Sequence, residues 1–284
     1  MKYENYRDYD PRRVDLAESA LLTVWAGLSS YQDDLVLIGG LVPKYLCGDL
    51  SATRSLPRPV TLDADIGIAL GASAGSYGSL SWDLQAQGFS RATQAGGGSR
   101  YVKSIEGFSV PVDFLTEQPG SSAGTVIVDD IVADILPGVD RALAVARLVE
   151  IEGIDLHGAL QRLTLRVCEA GPFLALKLRA FARRQQPKDA FDILYTLRHY
   201  DGGPKSATAQ FHEEIAAANP AIPEAVACLR QHFSSERSAA AVKAAVFVHG
   251  TTSIEESEEA RSSRLRLQQD VVDAGRMLLA AVDE

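Results

Sequence analysis

Two aspartates occupy a stretch of sequence that is otherwise suited to a protein core. The segment VTLDADIGIAL, residues 60–70, contains Asp63 and Asp65 among mostly apolar residues. Because successive side chains of a strand point to opposite faces, a strand over this segment would place both carboxylates on one face. Neighbouring anions repel each other and resist burial, so the pattern predicts a cation between them, with a divalent metal as the leading candidate. A solvated strand, or an aspartate that caps a turn, is the structural alternative.

A glycine pair, Gly39-Gly40, follows the short apolar run of residues 35–38. Between a strand and a helix, such a pair allows backbone N–H groups to approach a phosphate closely. Glycine pairs also end strands as plain turns, which is the alternative here. Leu41 follows the pair, so no hydroxyl side chain is present at that position and the backbone would have to bind the phosphate.

A third carboxylate, Asp113, lies in the apolar segment FSVPVDFLTE, residues 108–117. If its strand pairs beside the first one, Asp63, Asp65 and Asp113 meet on one face. Three carboxylates suit two Mg²⁺ ions about 4 Å apart, which would stabilise the attacking and leaving oxygens of an in-line phosphoryl displacement. Asp113 would also serve as a general base for an attacking hydroxyl. Alternatively, it is a strand-end residue solvated at the sheet margin.

The order of these motifs resembles the nucleotidyltransferase superfamily that includes DNA polymerase β. A strand ends in Gly-Gly, Asp-x-Asp follows about twenty residues later, and a later strand carries the third aspartate. The resemblance implies that Gly39 and Gly40 bind the nucleotide and that Asp63, Asp65 and Asp113 are catalytic residues that hold Mg²⁺. It also implies the reaction, which is the transfer of NMP from an NTP to an acceptor.

The segment LALKLRAFARRQQPKDAFDILYTL, residues 174–197, resembles the toxin-like nucleotidyltransferases of the AbiEii/AbiGii family. That family carries a lysine on one helix and a Lys-Asp-x-x-Asp segment at the start of the next. The matching residues here are Lys177, Lys188, Asp189 and Asp192. By this resemblance Lys177 and Asp189 are catalytic, while Lys188 and Asp192 contact the nucleotide. The resemblance further implies tRNA or another RNA as the acceptor and an antitoxin protein as a partner.

These residues also have local structural explanations. The helix dipole favours a carboxylate such as Asp189 close to the start of a helix that begins at Pro187. Lys177 could extend from an apolar helix to solvent. Nevertheless, the segment from Lys177 to Lys188 is the most basic stretch of an acidic chain. It could supply a positive wall for a triphosphate or an RNA backbone.

Regular elements have to position the three aspartates. Helical periodicity predicts a helix within residues 14–31, and Pro43 suits the first turn of a short one. The pattern around Glu106-Gly107 predicts a hairpin with strands near residues 100–105 and 108–115. Arg100 and Lys103 on its first strand are candidates for facing the phosphates, although alternate residues of a strand face away.

Strand-like sequence predominates up to about residue 170, and the pattern is helical from Pro172 onward. We therefore predict an α+β protein with two domains. By the family resemblance, residues 1–170 form a nucleotidyltransferase domain with a polymerase β-like mixed sheet, and residues 171–284 form a helical domain. The helices after about residue 205 carry no motif that we can assign.

Composition and charge restrict the function classes. The chain has 284 residues and a formal net charge of −9, which argues against a broad electrostatic grip on nucleic acid, so DNA is not an expected partner. No apolar run approaches the roughly 20 residues that span a bilayer, and the first residues lack the apolar segment of a signal peptide. Three dispersed cysteines favour a reducing cytoplasm.

The sequence thus predicts a Mg²⁺-dependent nucleotidyltransferase, and two other classes remain open. A glycosyltransferase also uses Asp-x-Asp after an apolar strand to hold a metal and a nucleotide-sugar, but it needs neither the glycine pair nor the third aspartate. The other alternative is a non-catalytic protein that binds nucleotide or a partner on the same fold, which the leucine at position 41 keeps open.

Overall fold

The computed structural model describes residues 3–48, 56–71, 79–93, 98–128, 130–252, 256–280 and 282. Within these residues the protein is a mixed α/β structure with a mixed sheet and C-terminal helices. They divide into two compact units. The sheet unit comprises the described residues within 10–45 and 60–169, and the helical unit comprises those within 1–9, 46–59 and 170–284.

The strands of the described residues all belong to one sheet. They are β1 (Leu35–Ile38), β2 (Ala64–Ile68), β3 (Ser90–Thr93), β4 (Ser99–Ile105), β5 (Phe108–Thr116), β6 (Thr125–Val128), β7 (Ile131–Ile135), β8 (Ala146–Ile154) and β9 (Leu160–Cys168). The helices that precede or connect them are α1 (Pro11–Gly27), α2 (Val42–Leu46), α3 (Leu80–Ala86) and α4 (Val139–Ala144). Short 3-10 helices occupy Tyr6–Asp8, Ser29–Asp34 and Gly39–Leu41.

The sheet order brings the aspartate-bearing strands together. Strands follow one another as β3-β4-β5-β2-β1-β9-β8, with β7 also paired to β5, and β6 to β7. Strand β2 pairs antiparallel with β1 and parallel with β5. The segments that contain Asp65 and Asp113 are therefore direct neighbours inside the sheet, which is the arrangement that a joint site for their carboxylates requires.

Two helices of the sheet unit cover the strands that carry the site. Helix α1 packs against β2, β5, β8 and β9, and the indole N–H of its Trp25 donates a hydrogen bond to the Thr164 carbonyl at 3.1 Å. Helix α4 packs against β1, β2 and β5. At Gly67 a Cβ would lie 3.1 Å from Val139 of α4. Because residues two apart share a strand face, Asp65 lies on the face of β2 that α4 covers.

The strand predicted over residues 60–70 is shorter than expected. It begins at Ala64, so Asp63 precedes it and the prediction that both aspartates lie within the strand was wrong for Asp63. The Thr61 hydroxyl donates a hydrogen bond to Oδ1 of Asp63 at 2.6 Å. Such local side-chain bonds offer the backbone an alternative to ladder pairing, which explains why the chain bends here before β2 begins.

Within the sheet unit, the structure confirms the strand predictions that depend on turn residues in the sequence. The hairpin of β4 and β5 is confirmed, and Glu106 and Gly107 both have positive φ, as a two-residue hairpin turn requires. The run before the glycine pair is strand β1, as predicted. Strands β3, β6 and β7 were not predicted. The glycine run at residues 96–98 is a turn signal in the sequence, and it lies largely outside the described residues.

The helical unit contains the remaining helices. They are α5 (Ala170–Arg184), α6 (Pro187–His199), α7 (Gly203–Ala216), α8 (Ile222–His232), α9 (Ala239–His249) and α10 (Glu258–Leu279). Pro187 opens α6, as expected, because a proline at the first helical position loses no intrahelical hydrogen bond. Gly171 allows α5 to approach α7, since a Cβ there would lie 2.5 Å from the Gln210 carbonyl oxygen. None of the helices in the described part of the chain combines the length and apolar composition that crossing a bilayer requires.

Candidate metal centre

The three aspartates Asp63, Asp65 and Asp113 converge in the sheet unit. Asp65 and Asp113 are paired in register across the parallel strands β2 and β5. One carboxylate oxygen from each of the three aspartates lies within 4.8 Å of the others. Asp63 and Asp113 are 9% and 8% exposed, and Asp65 is half-buried. The sequence prediction that these carboxylates would come together is therefore confirmed, although Asp63 reaches the site from the bend before β2 rather than from the strand.

The glycine pair lies directly against Asp65. Gly39 has a φ of +74°, and a Cβ at this position would lie 1.9 Å from Oδ2 of Asp65. The N–H of Gly40 donates a hydrogen bond to that same oxygen at 3.3 Å. Glycine is required at position 39 both for its backbone conformation and for the close approach of the carboxylate. The pair therefore positions Asp65, a role that the sequence reasoning did not anticipate.

A cation does lie among the carboxylates, and in this structure it is the guanidinium of Arg100. Its Nε donates to Oδ1 of Asp113 at 3.1 Å and its Nη2 donates to Oδ2 at 2.6 Å. Nη2 also lies 4.0 Å from Oδ2 of Asp63. Sequence reasoning named Arg100 as a candidate but could not determine which face it occupies, because that depends on the pairing of β4 with β5.

Burial and charge both perturb the titration of this cluster. Burial raises the pKa of Asp113 to about 7; the hydrogen bond from Arg100 opposes this shift, and the negative charge of Asp65 adds to it. Burial lowers the pKa of Arg100, but its hydrogen bond to Asp113 and the three carboxylate charges outweigh that effect and raise the pKa overall. The cluster therefore holds a guanidinium firmly while it resists carrying three full negative charges.

The donor set is suited to a hard divalent cation. Mg²⁺ prefers oxygen ligands at about 2.1 Å in an octahedron, which places opposite ligands about 4.2 Å apart. The carboxylate oxygens lie within 4.8 Å of one another, so small side-chain rotations would suffice for them to bind one ion or two ions about 4 Å apart. One guanidinium cannot neutralise three carboxylates, which is a further reason to expect a cation. The residues present thus fit Mg²⁺.

The other predicted site residues form a second, buried cluster within the helical unit. Nζ of Lys177 donates to Oδ2 of Asp192 at 2.8 Å and to Oδ1 of Asp189 at 3.3 Å. Lys188 also contacts Asp192, and Arg184 forms a bidentate pair with Asp189 at 2.7 and 2.8 Å. All four predicted residues are 5% exposed or less. The structural alternative, in which Lys177 extends to solvent, is therefore excluded.

The two carboxylates of this cluster stabilise the buried charge of Lys177. Burial lowers the pKa of Lys177, but the charges of Asp192 and Asp189 more than offset that effect and raise it. The sequence reasoning linked α5 and α6 through a family motif, and the structure links them through ion pairs. Arg184, which the motif did not single out, belongs to the same cluster.

A scan of the chain against protein-family models and a search of curated proteins found no match. The likeness to nucleotidyltransferases therefore depends on the motifs and on the geometry of the site. Of these, the convergence of the three aspartates is the stronger observation, because it brings together residues that are distant in sequence. Asp63 and Asp113 are 50 positions apart.

Replacing Gly39 with alanine should weaken metal binding at least about tenfold and lower the free energy of unfolding by roughly 2–4 kcal/mol. The new Cβ would displace the Asp65 carboxylate from its place against the turn. Gly107→Ala is the matched control, because Gly107 also has a positive φ (84°) but a Cβ there would meet nothing within 4 Å. Calorimetric Mn²⁺ titration and urea unfolding measure both effects. Equal losses in the two variants would contradict a specific role for Gly39.

Stability of the metal-free protein should depend on the titration of Asp113. Because its folded-state pKa is raised from 3.8 to about 7, the folded state binds the proton more tightly than the unfolded state does. The contribution of Asp113 is therefore favourable at low pH and is lost as the pH rises from about 4 through 7, by at most about 4 kcal/mol. Urea unfolding of the wild type and Asp113→Asn, with a chelator, measures this. Parallel pH profiles would show that Asp113 is not the titrating group.

Proposed function

We propose that the protein is a Mg²⁺-dependent nucleotidyltransferase that transfers NMP from an NTP to an acceptor and releases pyrophosphate. The observation that supports this best is the convergence of Asp63, Asp65 and Asp113 on and beside neighbouring strands, with the Gly39-Gly40 turn against Asp65. Carboxylates held on a rigid sheet suit phosphoryl transfer, in which catalysis consists mainly of positioning and electrostatic stabilisation.

The proposal divides two roles, metal binding and proton transfer, among the three aspartates. Asp63 and Asp65 would hold Mg²⁺, which when bound would neutralise charge that develops on the phosphate oxygens. Asp63 is oriented by the Thr61 hydroxyl and Asp65 by the N–H of Gly40. Asp113 would also bind the metal or accept the proton of the attacking hydroxyl at a carboxylate oxygen. In the metal-free protein burial raises the pKa of Asp113 to about 7, which suits a general base at neutral pH.

The acceptor and the partners come from the family resemblance. We propose tRNA or another RNA as the acceptor and an antitoxin protein as a partner. With a net charge of −9, an RNA would have to be bound through a local basic surface. The cations of the helical cluster, Lys177, Lys188 and Arg184, are engaged by carboxylates, so any catalytic role for Lys177 or Asp189, and any nucleotide contact by Lys188 or Asp192, stays a proposal.

A labelling experiment tests this function. The purified protein is incubated with Mg²⁺, total cellular RNA and each of the four NTPs labelled at the α-phosphate, with and without a chelator. We expect label that depends on metal and is removed by RNase, with one NTP preferred. Label that resists RNase but is removed by protease would show that the acceptor is a protein side chain.

The same assay separates the proposal from its competitors. Absence of labelled product with every NTP, in the presence of RNA, protein and Mg²⁺, would contradict nucleotidyl transfer. Hydrolysis or transfer of a nucleotide-sugar under the same conditions would then identify a glycosyltransferase. Metal-dependent nucleotide binding without either reaction would identify a non-catalytic binding protein.

A further inference from the structure

The contact of Arg100 with Asp113 follows from strand pairing. Strands β4 and β5 are antiparallel, and their register pairs Tyr101 with Val112. Arg100 and Asp113 are one position beyond that pair and therefore face each other across the strands. Nε and Nη2 of the guanidinium engage the two oxygens of the carboxylate, one each. This bidentate geometry is the strong form of the interaction, and it engages a carboxylate that the proposed metal site also needs.

A metal ion that binds to the three carboxylates is repelled by this guanidinium, because both are positively charged. Nη2 of Arg100 reaches as far as Asp63, at 4.0 Å. The side chains of Arg100 and Asp113 are only 23% and 11% exposed, so solvent screens the site incompletely. Like charges a few ångströms apart in such a place repel strongly. Arg100 therefore lowers the affinity of the carboxylates for a metal ion that arrives alone.

A polyphosphate changes this balance of charge. A guanidinium binds phosphate oxygens with the same bidentate geometry that it uses for a carboxylate. When a metal ion and a polyphosphate arrive together, the metal compensates the carboxylates and the polyphosphate provides new acceptors for the arginine. The long, partly exposed side chain of Arg100 needs only rotation about its own bonds to exchange one acceptor for the other.

We propose that Arg100 is a polyphosphate-binding residue that is held on Asp113 until a metal ion and a polyphosphate bind together. The metal site then binds metal weakly alone and tightly with the polyphosphate. This inference rests on the proposed function in one respect, which is that the polyphosphate is that of an NTP. It assigns to Arg100 a role in substrate binding and in the order of assembly of the site.

The test measures two affinities, for which the inference predicts changes in opposite directions when Arg100 is replaced. Mn²⁺ is titrated into the wild type and Arg100→Gln without nucleotide, with free Mn²⁺ followed by its electron paramagnetic resonance signal. Removing a neighbouring positive charge should tighten Mn²⁺ binding about tenfold or more. Inorganic triphosphate, which has no base or sugar, is then titrated calorimetrically at saturating Mn²⁺. Its affinity should fall about tenfold or more in Arg100→Gln.

Two further variants control for charge and for folding. Arg12→Gln removes an exposed arginine that pairs with an exposed carboxylate, that of Glu106, and should change neither affinity. Arg100→Lys keeps the charge but loses the planar fork. It should bind Mn²⁺ as the wild type does and bind triphosphate several-fold more weakly. If Arg100→Gln does not fold, the lysine variant still decides the inference, because unchanged triphosphate affinity in that variant would overturn it.

The outcomes separate this inference from the proposed function. Mn²⁺ affinity that is unchanged or lower in Arg100→Gln would overturn the inference and would show that Arg100 orients Asp113 for the metal instead. Unchanged triphosphate affinity in that variant would overturn it as well. Failure of the wild type to bind Mn²⁺ above the level of Asp65→Asn even when inorganic triphosphate is present would overturn the metal centre itself, and with it both proposals.

Discussion

Asp65→Asn should reduce NMP transfer by at least about a thousandfold, or roughly 4 kcal/mol of transition-state stabilisation, while the metal-free protein becomes more stable. The amide cannot supply the anionic oxygen that Mg²⁺ prefers. Its carbonyl oxygen can still accept the hydrogen bond that Gly40 donates to Asp65. Loss of one of three neighbouring negative charges relieves repulsion, which should raise the free energy of unfolding by about 1 kcal/mol.

A loss of NMP transfer together with a gain in stability identifies a carboxylate that serves function rather than folding. Asp15→Asn is the matched control, because Asp15 is exposed on α1 in the same unit. It should leave both transfer and stability within experimental error of the wild type. Labelled-NTP assays and urea unfolding in a chelator give the two measurements. Full activity in Asp65→Asn would remove Asp65 from the proposed metal centre, and a loss of stability would show that its carboxylate is structural.

Local signals explain which elements could be predicted from the sequence. The hairpin of β4 and β5 has a two-residue turn and alternating strands, so the information lies within about twenty neighbouring residues. Strands β6 and β7 are four and five residues long, and their place in the sheet depends on the pairing of β7 with β5. Such short strands contain too few residues for their periodicity to be distinctive, and they are stabilised by pairing with each other and with β5.

The candidate site likewise combines features that the sequence predicts with features that only the structure reveals. The three aspartates were predictable because charged residues in apolar strands are conspicuous. Their counter-ion was not, because either Arg100 or Lys103 could have faced them, and only the register of β4 against β5 decides between the two. The structural role of Gly39 was equally hidden, since its contact with Asp65 joins residues 26 positions apart. Sequence thus indicates chemistry residue by residue, whereas the structure determines which charges compensate one another.

Asp192→Asn should lower the free energy of unfolding by about 3–5 kcal/mol, the cost of leaving buried charge uncompensated. Among the ion pairs described in the helical cluster, three cations share two carboxylates: Lys177, Lys188 and Arg184 with Asp189 and Asp192. The substitution leaves one carboxylate for three cations. Urea unfolding followed by circular dichroism measures the loss. A cost below about 1 kcal/mol would contradict the assignment of these pairs as a structural link between α5 and α6.

Lys177→Met should be the milder change, at about 1–2 kcal/mol, because two cations and two carboxylates remain. Lys205→Met, on an exposed position of α7, is the control and should cost no more than about 0.5 kcal/mol. Because Lys177→Met costs less stability than Asp192→Asn, Lys177 is the more informative position for testing catalysis. Lost transfer in Asp192→Asn would reflect unfolding as much as chemistry. Lost transfer in a Lys177→Met protein that remains folded would support the catalytic role implied by the family resemblance, and retained transfer would make Lys177 a purely structural residue.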